Sequence, residues 1–184
     1  RYVQVGYRFY VFDEIAPGRD PGGIDKTLLE KYDIAKSPQQ RARAKQKGRA
    51  NLQYLRFQSF WLMIATKGCH RFFDAHTRSD GIQFYRDIRS RALRIGPYAV
   101  SSKLDGQWKP GQEVRHRVRV TLTRCEFKEL VAYFGDRATR ANDEALCEEF
   151  SRLGSRYLPY RPVRDQLVQI VRKTNVARTA AGLK

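Results

Sequence analysis

Residues 113–122 have the sequence Glu-Val-Arg-His-Arg-Val-Arg-Val-Thr-Leu, in which apolar and polar side chains alternate. Because successive side chains of a β-strand point to opposite faces, this alternation predicts a strand with one apolar and one polar face. Arg115, Arg117 and Arg119 share the polar face, each about 6–7 Å from the next. The phosphates of an extended nucleic-acid strand have a comparable spacing. The stretch therefore predicts a sheet surface that binds nucleic acid.

Charge is the second strong signal. The 184-residue chain carries 36 Lys and Arg against 19 Asp and Glu, a formal net charge of +17. Lys and Arg bind phosphates and release condensed counterions, so RNA or DNA is the expected partner. An anionic membrane is a weaker alternative, because no basic segment adjoins a lipidation motif or an apolar span. A hydrophobic content of 41% is too high for a fully disordered chain.

The cysteines and the apolar runs bear on the compartment. Cys69, Cys125 and Cys147 are odd in number and far apart, which favours buried thiols in a reducing compartment over a disulfide framework. No apolar run reaches the length of a membrane helix, and no signal peptide is recognisable. We therefore expect an intracellular, cytoplasmic protein without a membrane partner.

The beginning of the chain also alternates. Residues 2–12 predict a long first strand, one face of which would carry Arg8, Tyr10 and Phe12. A cation between aromatic rings is typical of surfaces on which unpaired bases stack. The alternative is that these rings lie under a helix, and the sequence does not decide between the two.

A strongly basic helix is predicted after residue 37. Ser37 at the N-cap, Pro38 at the first helical position and Gln40 at the third form a capping box, and Gly48 ends the helix. Without a large apolar side chain, it is either a partly frayed, solvated helix or a phosphate-binding segment that orders on binding. We favour phosphate binding, because its charge is of one sign. The cations are Arg41, Arg43, Lys45, Lys47 and Arg49.

The middle of the chain is predicted to be rich in strands. Residues 51–66 are expected to form two strands or one bent strand, and a turn and a third short strand follow within 67–73. Residues 82–95 fit either a strand or a helix, and residues 98–104 fit a strand. A hairpin over 105–111 then leads into the arginine-bearing strand.

The last third of the chain has helical character and a different charge. Residues 126–149 hold seven acids against three bases, so the helices within 123–153 face away from the polyanion and offer a possible docking surface for a protein partner. The predicted helices run from the Thr123–Glu126 capping box to Gly135, from the Asn142 N-cap to Gly154, and from Pro162 to about residue 181.

This order of elements predicts an α+β fold: an antiparallel, ferredoxin-like or RRM-like sheet with helices on one face and a C-terminal helical layer. Residues 1–122 would form the sheet domain, with a basic insertion at 35–50. Residues 123–184 would form a helical region packed on the sheet within the same domain. The other sheet face would stay open and carry the arginine row beside the aromatic face of the first strand. If a helix covers it, the site reduces to residues 41–49.

No catalytic or metal-binding pattern is evident. His116 lies on the apolar side of its strand, where a histidine is expected to be a core residue. Cys69, His70 and His76 lack the spacing of zinc ligands. We therefore expect no metal and no cofactor, and we favour a role without catalysis.

The alternative function is a nuclease or strand transferase of a mobile-element or CRISPR-like system. The chain resembles single-strand nicking enzymes of the HUH class in its basic charge, small mixed fold and helical Tyr133. It lacks their paired histidines, which removes the metal site. Metal-free RNA cleavage needs only a suitable acid or base near the 2′-hydroxyl, and Lys67, His70 or Tyr10 could serve.

The favoured function is binding of RNA or single-stranded nucleic acid as a non-catalytic component of a nucleoprotein complex. No helix-turn-helix or zinc-finger signature points to reading of duplex DNA. The side chains assigned to the interface are Arg8, Tyr10, Arg41, Arg43, Lys45, Lys47, Arg49, Lys67, Arg71, Arg115, Arg117, Arg119, Arg172 and Lys173.

Overall fold

The computed structural model describes residues 1–104 and 116–183. The protein is α+β, with an antiparallel sheet and, over those residues, six α-helices. Its contacts define two compact units, one from the described parts of 1–93 and 101–118, the other from 94–100 and 119–184. The helices are α1 Pro21–Lys31, α2 Pro38–Gln46, α3 Arg71–Ala75, α4 Arg124–Arg140, α5 Asp143–Arg156 and α6 Arg161–Ala180. The strands are β1 Phe9–Glu14, β2 Leu52–Phe57, β3 Phe60–Ala65, β4 Arg86–Asp87, β5 Leu93–Ile95, β6 Tyr98–Leu104 and β7 His116–Leu122.

The first unit is built on a four-stranded sheet with the order β2-β3-β1-β4. Each neighbouring pair is antiparallel, which confirms the antiparallel sheet. β2 and β3 form a hairpin within the predicted 51–66 segment, and Gln58 turns the chain between them with a φ of +55°. β3 is central, which explains its continuous run of apolar side chains.

One face of this sheet packs against helices. Leu52, Met63 and Ala65 on that face are buried with Tyr32, at the end of α1, and Phe72 of α3. Side chains from β1 and α1 complete this core at its margin. Packing of helices on one sheet face is therefore as predicted for this unit.

The first strand is shorter than predicted. Within the predicted strand 2–12, Val3–Val5 form a 3-10 turn, which Gly6 ends with a φ of +98°. The strand begins only at Phe9. The prediction was wrong for the first residues because alternation does not register a glycine at positive φ, which turns the chain out of an extended path.

The segment that follows β3 is helical rather than the predicted short strand. His70 is the N-cap of α3, and its Nδ1 accepts a hydrogen bond from the N–H of Phe72 at 3.0 Å. Phe72 is fully buried in the core of the first unit. The His70 cap satisfies the N–H of Phe72, which in a strand would need a partner on a neighbouring strand. This cap therefore favours the helical turn.

The arginine-bearing strand β7 belongs to a second, three-stranded sheet with the order β5-β6-β7. The prediction that one open sheet face carries both the arginine row and the aromatic face of β1 is therefore wrong. The strand predicted at 98–104 is confirmed. The predicted hairpin 105–111 and Arg115 lie outside the described residues.

β7 keeps the predicted alternation along most of its length. Arg117 and Arg119 are exposed, whereas Val118 and Val120 are half-buried and Leu122 is buried. His116 is exposed, so its assignment to the core was wrong. Burial increases along the strand toward Leu122, and the histidine lies at the end where this side of the strand is uncovered.

The second unit is a helical layer with its own apolar core. The N-caps predicted at Thr123 and Asn142 are confirmed, since Thr123 Oγ1 accepts from the N–H of Glu126 at 3.3 Å and Asn142 Oδ1 accepts from that of Ala145 at 2.9 Å. The buried core side chains are Leu122, Leu130, Phe134, Leu146, Leu153, Tyr157, Val163 and Ile170.

Two predicted helix ends in this unit were wrong. Gly135 and Gly154 lie inside α4 and α5, which continue to Arg140 and Arg156. A glycine inside a helix costs about 1 kcal/mol relative to alanine. Ala138, one turn beyond Gly135, is fully buried, and this packing favours continuation of α4.

Two further features bear on the predicted compartment. No helix in the described part of the chain is long and apolar enough to cross a bilayer. Cys69, Cys125 and Cys147 are free thiols, but they are exposed rather than buried as predicted.

Candidate nucleic-acid interface

A dense group of exposed cations lies on α2 and directly after it. Arg43, Lys45, Lys47 and Arg49 are exposed, and residues 37–49 contain no acid. None of these four side chains forms an ion pair or a hydrogen bond with another residue in the described ranges. We call them, together with Arg41, the α2 surface.

Polar contacts and one small side chain hold this helix in place. Ser37 and Gln40 form the predicted capping box: Ser37 Oγ accepts from the Gln40 N–H at 3.2 Å, and Gln40 Oε1 accepts from the Ser37 N–H at 2.8 Å. Ala44 is buried, and the amide of Asn51 donates to the carbonyl of Arg41 at 3.0 Å. The anchoring thus uses the backbone and an alanine, which leaves Arg43, Lys45, Lys47 and Arg49 in solvent. Arg41 is half-buried, and its guanidinium donates to the carbonyl of Lys36.

Gly68 brings the end of the α2 surface next to the start of α3. Its φ is +140°, and a Cβ there would lie 2.6 Å from both the nitrogen of Ala50 and the oxygen of Gly48. The Ala50 N–H donates to the Cys69 carbonyl at 3.1 Å, and the Cys69 N–H donates to the Gly48 carbonyl at 2.9 Å. Only glycine permits this approach, which places Arg49 beside the 69–71 segment.

A cavity of about 460 Å³ opens at this junction. Lys36 Nζ lies 3.0 Å from the Asp33 carboxylate. Arg71 donates to the carbonyl of Glu30 at 3.3 Å, and Arg49 has no ion-pair partner among the described residues. The cavity is therefore cationic but not uniformly so. Its walls are Asp33, Lys36, Arg49, Cys69, His70, Arg71 and Asp74.

His70 is a hydrogen-bond donor in this cavity. Burial lowers its pKa below the usual value, and the positive charges of Lys36 and Arg71 lower it further, so the imidazole is neutral near pH 7. Because Nδ1 accepts from the Phe72 N–H, the remaining hydrogen belongs on Nε2. A hydrogen bond of the ring to the backbone of Tyr32 opposes this lowering of the pKa. With this tautomer the ring has no free lone pair with which to act as a base.

Several of the sequence-assigned residues come together here. Arg49 and Arg71 share the cavity, and Lys67 is exposed in the adjoining turn. Lys36 was not assigned to the interface from the sequence, and His70 was considered only as a catalyst. The Lys67-Gly68 dipeptide was the available signal, since a glycine at a turn marks a close approach of two backbones.

Arg8 and Tyr10 do not belong to an open surface. Tyr10 is only 1% exposed, and its hydroxyl donates to the carbonyls of Arg91 and Ala92, each at 3.1 Å. Arg8 Nε lies 3.9 Å from the Asp87 carboxylate, and its guanidinium lies 4.7 Å from the ring centroid of Phe9. Because Tyr10 is buried, its assignment to base stacking was wrong. Arg8 contacts other residues of the fold through its guanidinium.

The remaining assigned cations are distributed over the two units. Arg117 belongs to the first unit and Arg119 to the second, and each is exposed and already engaged in an interaction within the structure. Arg172 and Lys173 are exposed on α6 in the second unit. The cations that the structure brings together are thus those of the α2 surface, Lys67 and Arg71.

The acidic helices show the opposite pattern. Arg137 Nη2 lies 2.6 Å from Glu149 Oε1, and the pairs Arg140–Asp136 and Arg152–Glu148 measure 3.1 and 2.5 Å. Further carboxylates in this region have partners of their own: Asp143 pairs with Arg178, Glu126 accepts from the Tyr157 hydroxyl, and Glu129 accepts from the Cys125 thiol. The acids of 126–149 are therefore largely satisfied within the second unit.

The side chains considered for a metal-dependent nicking site do not assemble in either unit. No group of His, Cys, Asp or Glu within residues 1–104 and 116–183 is placed to hold a metal ion. Tyr133 is 52% exposed on α4 in the second unit, whereas His70 and His76 belong to the first. Nδ1 of His76 lies 2.7 Å from the carbonyl of Phe72, a contact that also commits this ring to the fold.

Comparison with known proteins adds no assignment. No protein-family model, no curated protein and no solved structure matches the chain. The geometry of the α2 surface is therefore the basis for a functional proposal.

Proposed function

We propose that the protein binds RNA or another single-stranded nucleic acid through the α2 surface, as a non-catalytic component of a nucleoprotein complex. The observation that carries the proposal is the set of exposed α2 cations that have no carboxylate partner among the described residues. Arginine–carboxylate pairs occur elsewhere in the first unit, as at Arg56–Asp25 and Arg89–Asp87. The unit thus has acids, and its fold does not direct them to α2.

Phosphate binding gives these cations their partner. Each Lys or Arg that contacts a phosphate releases condensed counterions, and the gain in affinity depends on salt. The cavity beside Arg49 adds the cations Lys36 and Arg71, and charge-assisted hydrogen bonds from such side chains suit a phosphate oxygen. The two acids in its wall, Asp33 and Asp74, offset part of this positive charge, so the α2 surface supplies most of the attraction.

We further propose that the first unit has a ferredoxin-like arrangement. Its sheet order β2-β3-β1-β4, with α1 after β1 and α3 after β3, supports this. α2 is then an insertion between α1 and β2, in agreement with the basic insertion expected at 35–50. Sheets of this kind are suited to unpaired bases, which supports single-stranded over duplex ligands.

Two charge-matched double variants test the proposal. R43Q/K45Q removes two cations of the α2 surface that have no ion-pair partner in the described structure. R140Q/R152Q removes two that pair with Asp136 and Glu148. Both variants lower the net charge by the same amount, and glutamine is a good helix former. Binding of single-stranded RNA, single-stranded DNA and duplex is measured by fluorescence anisotropy over a range of salt concentrations.

The α2 variant is expected to reduce the slope of log K against log salt by about 1.4 for a single strand, about 0.7 for each lost phosphate contact. The control variant should leave the slope close to that of the wild type. Equal slopes in the two variants would mean that binding responds only to net charge, and the α2 surface would then not be the interface.

A further inference from the structure

A row of aromatic side chains crosses the other face of the four-stranded sheet. Phe57 of β2 is the cross-strand partner of Phe60 of β3. The ring of Phe60 lies 5.5 Å from that of Phe12 on β1, between centroids. Arg86 of β4 places its guanidinium 5.6 Å from the Phe12 centroid. Each of the four strands thus contributes one side chain, and we call these four side chains the phenylalanine row.

The row lies where this sheet face is open. Phe57 is 73% exposed, and Phe12 and Phe60 are half-buried. Farther along the same face Leu62 and Ile64 are buried. The exposed rings are therefore concentrated toward the turn between β2 and β3, where Phe57 contributes little to the core.

The Arg86 end of the row favours a ligand with a π-face and negative charge. Arg86 is exposed and forms no ion pair with a carboxylate in the described structure, so its planar group is available beside the ring of Phe12. Glu14 also lies on this face, as the exposed cross-strand partner of Phe60, and its carboxylate accepts from the hydroxyl of Ser59 at 2.8 Å. Guanidinium and phenyl planes side by side are typical of sites where bases stack and phosphates are neutralised.

We infer that the phenylalanine row stacks unpaired bases of a single-stranded nucleic acid. The inference rests on the proposed function and adds a second contact, formed by rings rather than by cations. Neighbouring strands are about 4.8 Å apart, so the row spans about 14 Å. Four-stranded sheets with exposed aromatics stack about two or three bases over a surface of this size.

Substitutions at Phe57 separate stacking from apolar contact. F57W keeps a π-face, F57L keeps an apolar side chain without one, and F57A removes both. F84A is the matched control, because Phe84 is also an exposed phenylalanine of the first unit, at 57%, and is outside the row. The exposure of both residues makes these variants compatible with folding, which circular dichroism verifies. The probes are 12-nucleotide RNA and DNA single strands containing 2-aminopurine, and the corresponding duplex.

F57A and F57L are expected to weaken single-strand binding by about five- to 150-fold, the range for loss of one stacked base. F57W should bind like the wild type, F84A should show no loss, and the salt slope should stay unchanged in all four variants. The 2-aminopurine fluorescence should change on binding to the wild type, F57W and F84A, but not on binding to F57L or F57A. Comparison of the affinities for the RNA and DNA probes shows which sugar the site prefers.

Other results would overturn the inference. Wild-type affinity in F57A, or an equal loss in F84A, would exclude stacking at the row, while a reduced salt slope in R43Q/K45Q would still support the proposed function. Retention of binding by F57L would point to apolar contact alone. If ultracentrifugation finds a wild-type dimer that F57A dissociates, the row is an interface between copies of the chain. Absence of any nucleic-acid binding by the wild type would overturn both proposals.

Discussion

The α2 helix and the α4–α5 pair are both charged helical regions whose starts are marked by side-chain caps, yet different forces hold them. α4 and α5 bury Phe134 and Leu146 in a core shared with α6. α2 buries only Ala44 and relies on its capping box and on Asn51. Apolar packing therefore determines the acidic helices, and polar anchoring determines the basic one.

The treatment of charge differs in the same way. Four carboxylates of α4 and α5, those of Asp136, Asp143, Glu148 and Glu149, are paired with arginines of their own unit. The cations of α2 have no carboxylate partner in the part of the chain that the structure describes. A formal net charge of +17 gives no information on this distinction. The functional information lies in which charges the fold leaves unneutralised, because those are available to a partner.

The largest effect that tests this comparison is expected from F134A. Phe134 is 3% exposed, and its ring stacks on that of Phe150 with centroids 4.5 Å apart. Removal of this ring is expected to cost about 3–5 kcal/mol of unfolding free energy, measured by urea denaturation followed by circular dichroism. A44G, the corresponding change in α2, should cost only about 1 kcal/mol. Similar losses in the two variants would show that the two regions are held alike.

A smaller loss is expected from R178M in the second unit. Arg178 is 8% exposed, donates to the carbonyls of Ala138 and Ala141 at 3.1 Å, and pairs with Asp143. The substitution leaves carbonyls at the end of α4 without this donor, which is expected to cost about 2–3 kcal/mol. Urea denaturation measures the loss. R172M, which changes an exposed arginine of the same helix, is the control and should be close to neutral.

Local signals in the sequence were sufficient for much of this fold. The caps at Ser37, Thr123 and Asn142 depend on residues within one helical turn, and all three were predicted. The strand at 98–104 also follows from a short pattern, whereas for 51–66 the sequence left two strands and one bent strand open. What the sequence could not supply was the pairing of distant strands, so β7 was assigned to the same sheet as β1.

The candidate site was predicted in part for the same reason. The α2 cations are contiguous in sequence and were identified together, whereas the contribution of Lys36 and His70 depends on the approach of two backbones at Gly68. Tyr10 was misassigned because alternation separates the two faces of a strand without telling which face is covered. The contact between Phe12 and Phe60 requires the register of β1 against β3, which no local pattern contains.

Removal of equivalent caps is expected to have unequal consequences. N142A and S37A each delete a side chain that accepts from a backbone N–H, which is worth about 1 kcal/mol. In N142A the loss should appear in the global unfolding of the second unit, because α5 is part of its core. In S37A it should appear as faster hydrogen exchange within α2, with little change in the global transition. Equal global losses would indicate that α2 is integrated into a core after all.

The smallest expected effect is a pH dependence that originates at His70. Its pKa in the folded protein is lowered by burial and by the nearby charges of Lys36 and Arg71. The unfolded chain therefore binds a proton at higher pH than the folded protein does, and stability is lost as the pH falls below about 6.5. H70N retains a capping side chain and should lose less stability over the same interval.

The pKa of His70 can be measured directly by NMR. In K36Q this pKa should move up toward its usual value. A bound single strand should raise it too, because phosphates offset the cationic surroundings. If nucleic acid leaves this pKa unchanged, the cavity is not part of the interface, and the contrast between the two charged regions is then confined to α2 itself.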